Sequence, residues 1–504
     1  MNTKTLIITE KPSVASAISA ALGANVRGDG CIHGSDLIVS WCYGHLVELA
    51  VPAAYDEKLS KWRREDLPIL PEPWKTTVMR DKRTQFEILR GLMQRTDVGE
   101  VVNACDAGRE GEFIFRLVYE KAGCTKSVKR LWLSSMEPDE IRKAYANMRP
   151  GAEYDNLYAA ALCRAKADWL VGMNATRLMS LVYHRTLNVG RVVSPTLSLL
   201  VERKREIEEF KPETFYTVAA NCGGVFLSSE RIADKSEAEA LANDCTGEAH
   251  IIRVGHEKCS KRAPELYDLT ALQREANREL GFTAQQTLDY LQSLYEKQLV
   301  TYPRTDSRYL TDGMAAKVPE LVGVAAKLLD VDAPANVDAE QVCDSSRVTD
   351  HHAIVPTLSA GRATLAALPE GEAAVLRLVC RQLLCACPNH LPTPKPRSRP
   401  SVPVIHSRPR ASSSSTSAWR AYTGAPDWMP LPELTEGAAM TVDAVNVKEG
   451  RTSPPDVFTE DTLLAAMEHA GRAPAKPAGF VGKGGAAERA SFFAGRWKRA
   501  MRSL

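Results

Sequence analysis

The chain has 504 residues, a quarter of them charged and nearly balanced in sign, with a formal net charge of +2 at pH 7. This length allows about three or four domains, and the charge balance excludes a global attraction to nucleic acid, so any nucleic-acid site must be a local patch. The first residues lack the pattern of a signal peptide, and no run approaches the apolar length of a membrane span. We therefore expect a soluble cytoplasmic protein with no membrane partner.

Twelve cysteines are scattered along the chain. The closest pair, Cys385 and Cys387, has one residue between its members, which is neither a zinc-binding spacing nor a disulfide framework. The sequence therefore predicts reduced thiols.

The N-terminal segment predicts the start of an α/β unit. The apolar run Thr5 to Ile8 leads through Glu10 and Lys11 into a helix-compatible stretch, Val14 to Leu22, which Gly23 would end. Functional groups collect at the carboxyl ends of strands in such sheets, which is where Glu10 and Lys11 fall. A surface ion pair in a loop is the alternative.

A second acidic strand end is predicted farther along. An apolar strand through Trp41 turns at Tyr43-Gly44-His45-Leu46, and a buried strand, Glu100 to Cys105, ends on Asp106-Ala107-Gly108-Arg109-Glu110-Gly111-Glu112. Carboxylates and glycines at a strand end suit a hard divalent cation that also contacts phosphate. A charged loop formed by chance is the alternative, but two acidic strand ends in one unit favour a shared metal site.

The next part is predicted to be mainly helical. Residues 137–177 have helical periodicity after a possible cap at Ser135. The stretch Gly190 to Leu197 places a cation, Arg191, and hydroxyls before a helix, Leu199 to Phe210, which suits phosphate binding at a helix start, although a capped helix is the plainer explanation. Residues 215–252 predict short strands and turns.

The stretch around Tyr302 carries the clearest chemistry. A helix over 283–297 leads to Thr301-Tyr302-Pro303-Arg304, where Pro303 prevents continuation as helix and holds the phenol at the end of an element, presented to solvent. Tyrosine can form a covalent intermediate, but its ordinary pKa of about 10 requires a nearby cation or base. Arg304 is such a cation. A half-buried aromatic beside a solvated arginine is the alternative.

Histidines and changes in composition mark the rest of the chain. His351 and His352 precede an apolar run, with no third ligand at metal spacing. Residues 388–430 are rich in Pro, Ser and Arg, residues 431–471 have a globular composition again, and residues 472–504 are basic and rich in glycine and alanine. We predict that the first and last of these segments are disordered and do not pack with the rest.

These motifs, in this order, resemble those of the type IA DNA topoisomerases, specifically the bacterial topoisomerase III class. The resemblance covers residues 1 to about 387, and the absence of cysteine zinc modules favours topoisomerase III over topoisomerase I. Its anchors are Ile7 to Ser13, Gly44-His45-Leu46, Asp106 to Phe115, Asp168 to Asn174 and Thr301 to Arg304.

The resemblance implies a multidomain fold, α/β plus α and β, in which an N-terminal Toprim α/β domain is followed by helical and β-arch domains that form a ring. The implied domains are Toprim (1–150), the first part of a helical DNA-binding domain (151–212), the first part of a β-rich arch (213–275), the catalytic tyrosine domain (276–387) and a return segment of the arch and helical domains (431–471).

The implied reaction transfers a DNA phosphodiester to tyrosine, leaves a 5′-phosphotyrosine and a free 3′-hydroxyl, passes a strand and reseals the break. Its substrates would be single-stranded and underwound DNA in a bacterial nucleoid. It consumes no nucleotide cofactor, and the chain has no P-loop.

The resemblance also assigns residues. Tyr302 would be the nucleophile, Arg304 and Lys11 would stabilise the phosphate, Glu10 would act as general acid and base, and His351 would make an auxiliary phosphate contact. The other implied residues are Glu10, Asp106 and Glu110 for Mg²⁺, Glu112 in support, and Arg191, Ser194, Thr196, Arg164 and Asp168 for DNA.

Three departures from the family pattern qualify this assignment. Gly108 interrupts the usual acidic triplet, which implies weaker Mg²⁺ binding, and Val193 stands where the family has glutamine. Residues 388–430 have no family likeness, and the tail lacks the expected Gly-Thr-Pro-Ala-Thr-Arg-like motif, a pattern that two reading-frame disruptions in the gene would produce.

Two competing functions remain open at this stage. One is a catalytically impaired remnant of such an enzyme that binds single-stranded DNA. The other is a Toprim nuclease or primase, which is disfavoured because neither needs Tyr302-Pro303-Arg304.

Overall fold

The structure is a computed structural model and describes residues 3–134, 136–250, 263–334, 336–349, 351–387, 422 and 437–470. The predicted cap at Ser135 and the expectations for residues 388–430, apart from Tyr422, and for 472–504 lie outside these residues.

The strands are, in chain order, β1 (Lys4–Thr9), β2 (Val26–Gly28), β3 (Cys31–His33), β4 (Leu37–Trp41), β5 (Val47–Leu49), β6 (Thr76–Val78), β7 (Val98–Ala104), β8 (Ser127–Arg130), β9 (Arg149–Pro150), β10 (Thr214–Cys222), β11 (Val225–Ser228), β12 (Glu248–His250) and β13 (Ala439–Arg451). The α-helices are α1 (Pro12–Leu22), α2 (Arg83–Gln94), α3 (Arg109–Lys121), α4 (Pro138–Ala146), α5 (Asp155–Tyr183), α6 (Val193–Glu208), α7 (Lys235–Asp244), α8 (Leu269–Leu280), α9 (Ala284–Glu296), α10 (Val318–Leu329), α11 (Glu370–Ala386) and α12 (Glu460–Glu468).

The N-terminal unit is built on a seven-stranded sheet with the order β2-β3-β4-β1-β7-β8-β9. Strand β1 pairs in parallel with both β4 and β7, and its last four residues are buried, so it lies at the centre of the sheet. Helix α1 begins at Pro12, where a missing N–H costs nothing, and ends at Gly23, whose φ of 81° favours glycine. The predicted strand, helix and stop are all found here.

The helical prediction for residues 137–177 is resolved into two helices. Arg149 and Pro150 form the short edge strand β9 between α4 and the long helix α5. Helix α6 begins at Val193, six residues before the predicted start at Leu199, so Ser194 and Thr196 lie inside its first turn.

A second, antiparallel sheet has the order β11-β10-β13-β12. Strand β13, from the far part of the chain, pairs with β10 from Thr214↔Arg451 to Cys222↔Val442. The sequence predicted only short strands and turns over 215–252 and missed α7. Asp234 caps this helix, and its Ala238 and Leu241 pack on Val218 of the sheet.

Helices α8 to α11 form the unit that carries Tyr302. One apolar core runs from the α1 and α4 side of the first sheet, with Ile7 and Ile141, to Leu294 and Leu376 of this helical unit. The segment that contains Tyr302 therefore lies between two packed bodies.

Candidate active site

Two carboxylates meet at the carboxyl edge of the first sheet. Glu10 follows β1 and Asp106 comes just after β7, and these strands are parallel neighbours. Glu10 is 7% exposed, and its Oε2 has no hydrogen-bond partner among the described residues. Both carboxylates therefore lie at the strand ends where the sequence placed them.

Burial, followed by the charge of Asp106, raises the pKa of Glu10 from 4.5 to about 7, against the opposing effects of Lys11 and Arg304. Desolvation and a neighbouring like charge both disfavour the ionised carboxylate. Glu10 can consequently hold a proton near neutral pH and release it at little cost, as a group that serves as both acid and base must.

Tyr302 lies against this pair. Its hydroxyl donates a 2.9 Å hydrogen bond to Asp106 Oδ2. The centroid of its ring lies 4.1 Å from the ring centroid of His351 and 5.5 Å from that of Tyr295. Burial, followed by the charge of Asp106, raises the pKa of the phenol far above its ordinary value.

The prediction that the phenol is presented to solvent was wrong, because Tyr302 is only 7% exposed. The backbone just before Tyr302 is held by hydrogen bonds to a distant part of the chain. Thr301 donates its N–H to the carbonyl of Val355, and its Oγ1 donates to the carbonyl of Ala353, which draws the chain between the two units.

Arg304 is exposed, and within the described ranges its side chain makes no hydrogen bond or ion pair. Its charge nevertheless lowers the pKa of Glu10, Glu110 and Tyr302. A guanidinium close to the site with all its donors available is suited to a phosphate.

Lys11 is half-buried, immediately before α1. Its charge lowers the pKa of Glu10, so the ammonium lies near this carboxylate. The structure thus brings Glu10, Lys11, Asp106, Tyr302 and Arg304 together.

Glu110 stands in the first turn of α3, where its Oε1 lies 2.5 Å from Nε2 of His45. This hydrogen bond, followed by the charges of His45, Arg164 and Arg304, lowers the pKa of Glu110. Sequence analysis singled out Gly44-His45-Leu46 without a role for the histidine. Its position at the turn after β4, at the same sheet edge, was the available signal.

The carboxylates at this sheet edge have some of the features of a site for a divalent cation. Within the described part of the chain, no three His, Cys, Asp or Glu side chains lie close enough together to hold a metal by themselves. However, the charge of Asp106 disfavours ionisation of Glu10, and the Oε2 of Glu10 is a buried oxygen with no hydrogen-bond partner among the described residues. Two carboxylates that leave most positions to water and phosphate fit Mg²⁺, which retains several waters.

Glu112 belongs to a buried network. It is 1% exposed and accepts hydrogen bonds from Asn103 Nδ2 at 2.8 Å and Arg116 Nε at 2.9 Å, while Arg130 Nε lies 3.2 Å away. Arg130, also 1% exposed, donates to the carbonyls of residues 103, 105, 106 and 131. The network therefore fixes the backbone of the acidic segment after β7, Asp106 to Glu112, which we call the acidic loop. Sequence analysis missed Arg130 because strand β8 carries no recognisable motif.

Gly111 permits this loop to pack tightly. A Cβ at this position would lie 2.0 Å from the carbonyl oxygen of Asp106, which is too close for any side chain. The glycine therefore lets α3 begin directly against the loop that carries Asp106.

His351 is 4% exposed, and neither ring nitrogen has a well-formed hydrogen bond among the described residues, although the backbone of Ala107 lies nearby. Burial lowers its pKa to about 4, so the imidazole is neutral. Its ring lies 6.2 Å from that of Trp132, which stacks on Tyr154 at 5.4 Å. Sequence analysis did not assign this aromatic stack.

The residues predicted for DNA contact lie on α5 and before or within α6. Arg191 Nε and Nη2 donate to the two Asp168 oxygens at 2.8 and 3.2 Å, and this hydrogen bonding lowers the pKa of Asp168. The charge of Arg164 adds to this effect and also contributes to the lowered pKa of Glu110. The hydroxyl of Ser194 accepts from the N–H of Gly190, and that of Thr196 donates to the carbonyl of Val192. The charge of Arg164 therefore acts both on Asp168 of α5 and on Glu110 at the carboxyl edge of the first sheet.

Across the part of the chain that the structure covers, no helix has both the length and the apolar character needed to cross a membrane.

Comparison with known proteins gives a consistent result. A family model described as DNA topoisomerase matches residues 152–490, and a Toprim domain model matches residues 5–136. The first match spans residues 388–430 and continues beyond 471, farther than the motifs in the sequence suggested.

Curated relatives share this description. DNA topoisomerase 3 of Bacillus thuringiensis (strain Al Hakam) is 35% identical over 494 residues, and that of Shouchella clausii (strain KSM-K16) is 37% identical over 490 residues. Each alignment covers 92% of this chain, and the chain spans about two thirds of the relatives, 67% and 66% respectively.

A solved structure, full-length topoisomerase I from Thermotoga maritima, covers 92% of this chain and 75% of its own, with a TM-score of 0.69 at 21% identity. This likeness concerns the fold.

Proposed function

Since the chain belongs to the type IA DNA topoisomerases, which cleave one DNA strand through a 5′-phosphotyrosine, pass a strand and reseal the break, we propose that Tyr302 forms the covalent intermediate. The observation that carries this proposal is the 2.9 Å hydrogen bond from the Tyr302 hydroxyl to Asp106 at the carboxylate edge. No comparison favours the alternative of an impaired remnant.

In the forward step, the Tyr302 oxygen attacks the phosphorus and the bond to the 3′-oxygen breaks. Asp106 Oδ2 is the hydrogen-bond acceptor of the phenol and the nearest acceptor for its proton. Glu10, whose pKa lies at about 7, gives a proton to the departing 3′-oxygen and removes it again for resealing.

Arg304 and Lys11 stabilise the charge that develops on the scissile phosphate. Both lie close enough to Glu10 to lower its pKa, and Arg304 makes no contact with another described residue that would compete for its donors. Donors fixed where charge develops contribute most in the transition state. Neutral His351, with its nitrogens available, supplies an auxiliary hydrogen bond to phosphate.

Glu10, Asp106 and Glu110 would hold Mg²⁺, which relieves the repulsion between carboxylates and phosphate. Because Gly108 contributes no ligand, water and DNA phosphate would have to supply the remaining ligands. Glu112 supports the loop through its buried ion pairs and does not bind the metal.

Single-stranded or underwound DNA in the bacterial cytoplasm and nucleoid is the substrate, and no nucleotide cofactor is needed. The path of the DNA strand across α5 and α6 is lined by Arg164, Asp168, Arg191, Ser194 and Thr196. Because the Arg191–Asp168 pair is exposed, DNA phosphate can replace the carboxylate at little cost.

The test is covalent capture of DNA. The intact chain is incubated with a single-stranded oligonucleotide and Mg²⁺, then denatured. We expect an adduct on the 5′ side of the break and a free 3′-hydroxyl. Failure to form any adduct under conditions that relax plasmid with a Bacillus DNA topoisomerase 3 would contradict the proposal.

A further inference from the structure

A cavity of about 320 Å³ lies between the N-terminal unit and the tyrosine-bearing unit, and Thr301, the residue before the proposed nucleophile, lines it. We call it the junction cavity. One wall comes from Trp132, Leu133 and α4, and the other from Thr301, α10 and residues 355–358. This volume falls within the range of small-molecule sites.

The two walls meet through polar contacts. Lys317 Nζ lies 2.6 Å from Glu140 Oε1, and Glu137 Oε1 accepts hydrogen bonds from the N–H and hydroxyl of Ser359 at 3.1 and 3.2 Å. Because the two walls belong to different units, any motion that separates the units opens the cavity. A molecule in contact with both walls would oppose this motion.

The lining indicates what such a molecule must be. Leu133, Leu321, Val355 and Leu358 offer apolar surface, which suits an aromatic or branched body. The charged residues of the lining are Glu137, Glu140, Lys143 and Lys317, whose formal charges cancel. A polyphosphate or another highly charged ligand is therefore disfavoured.

One pair of charges matches a specific head group. Glu140 and Lys143 are three residues apart on α4, so they are neighbours on one face of the helix. Lys317 uses only Oε1 of Glu140, and Lys143 Nζ has no hydrogen bond or ion pair within the described ranges. Adjacent carboxylate and ammonium groups in the lining, beside apolar side chains, complement the ammonium and carboxylate of an α-amino acid.

We propose that the junction cavity binds a free amino acid with an aromatic side chain and thereby holds the two units together, which slows strand passage without preventing cleavage. The effect on strand passage rests on the proposed function, whereas the binding does not.

Binding is tested with L-tryptophan by ligand-observed NMR. We expect a Kd of about 1 mM, as for other ligands of this size. Tryptamine and indole-3-propionate, which each lack one charged group, should bind at least about threefold more weakly. Equal affinity for all three compounds would overturn the recognition of the head group.

Variants locate the site. Ala144 lines the cavity, so Ala144→Phe should fill it and weaken L-tryptophan binding at least about tenfold. The matched control is Ala146→Phe, because Ala146 is exposed on the same helix and does not line the cavity. Lys143→Ala should weaken binding about threefold. Unchanged binding in Ala144→Phe would overturn the site.

The consequence is tested on the unmodified chain at an L-tryptophan concentration several times its Kd. Relaxation of supercoiled plasmid should slow several-fold, while cleavage of a short single-stranded oligonucleotide should stay unchanged. Equal loss of both activities, or no effect on relaxation, would overturn the inference. Absence of cleavage without tryptophan would contradict the proposed function instead and leave the binding result standing.

Discussion

The hydroxyl of Tyr302 is hydrogen-bonded to Asp106, which joins a side chain of the helical unit to the carboxylate edge of the N-terminal sheet. The proposed nucleophile therefore also forms part of the contact between the two units. DNA must therefore reach the Tyr302 oxygen at this contact, where Asp106 is placed to accept the proton of the phenol.

The Tyr302→Phe substitution removes only the attacking oxygen. We expect it to abolish covalent capture of single-stranded DNA and to leave binding within a few-fold, because the ring contacts with His351 and Tyr295 remain. Gel analysis after denaturation measures capture, and fluorescence anisotropy measures binding. A 5′-linked adduct in this variant would show that another residue is the nucleophile.

The Arg304→Ala substitution should slow single-turnover cleavage by about 10²- to 10³-fold and weaken DNA binding only a few-fold, because its charge acts mainly on the transition state. Arg90→Ala, on the exposed side of α2, is the control for loss of a surface charge. If cleavage and binding fell equally, Arg304 would contribute only to affinity.

Glu10 should make the protein less stable as pH rises. Its carboxyl titrates near 4.5 when unfolded and at about 7 when folded, so between these values the folded chain holds a proton that the unfolded chain has lost. Without Mg²⁺, this carboxyl should contribute a loss on the order of 2 kcal/mol to the free energy of unfolding between pH 5 and pH 8. Buried His351, whose pKa is lowered to about 4, contributes a gain over the same range, so the Glu10 contribution is measured as the difference between the parent and Glu10→Gln.

Glu10→Gln, which stays neutral, is the control and should lose less stability over the same range in denaturant titrations. If the variant and the parent lost the same amount, Glu10 would not be the group that titrates.

The dependence on Mg²⁺ should follow the number of carboxylates. Asp106→Asn should raise the Mg²⁺ concentration needed for half-maximal relaxation on the order of tenfold. Gly108→Asp should lower it, because it adds a carboxylate at a position whose backbone is extended, with φ of 166°. Gly91→Asp, in an open position on α2, is the matched control. An unchanged requirement in Asp106→Asn would show that the metal binds elsewhere.

Glu112→Ala should destabilise the protein by about 3 kcal/mol or more, because it leaves the buried charge of Arg130 without its carboxylate. The conservative substitution Glu112→Gln keeps one accepting side-chain oxygen for Asn103 and should lose less stability than Glu112→Ala. Thermal unfolding measures both. A single variant as stable as the parent would show that the network does not support the acidic loop.

The sequence predicted those parts of the site that lie next to regular elements. Glu10 and Asp106 follow apolar runs, and parallel pairing of these runs brings their ends together. The burial of Tyr302 was not predictable, because it depends on Val355 and Ala353, which are distant in the chain.

Partners formed by folding gave no local signal either. His45 contacts Glu110 across the sheet edge, and Arg130 reaches the acidic loop from a neighbouring strand. Helix α7 was missed because its few apolar residues match a short strand as well as a helix. The start of α6 was placed too late because Pro195 within its first turn marks a helix start as readily as a loop.

The pairing of β10 with β13 has a consequence for biosynthesis. Position 214 leaves the ribosome long before position 451, with which it must pair. Until then, the edge of β10 that will receive β13 presents unpaired backbone groups, while the unit that carries Tyr302 lies entirely within the intervening chain and can fold first. Contacts so distant in sequence form slowly, so closure of this sheet should be the late step in folding. A chaperone that shields strand edges would therefore help this protein most during that interval.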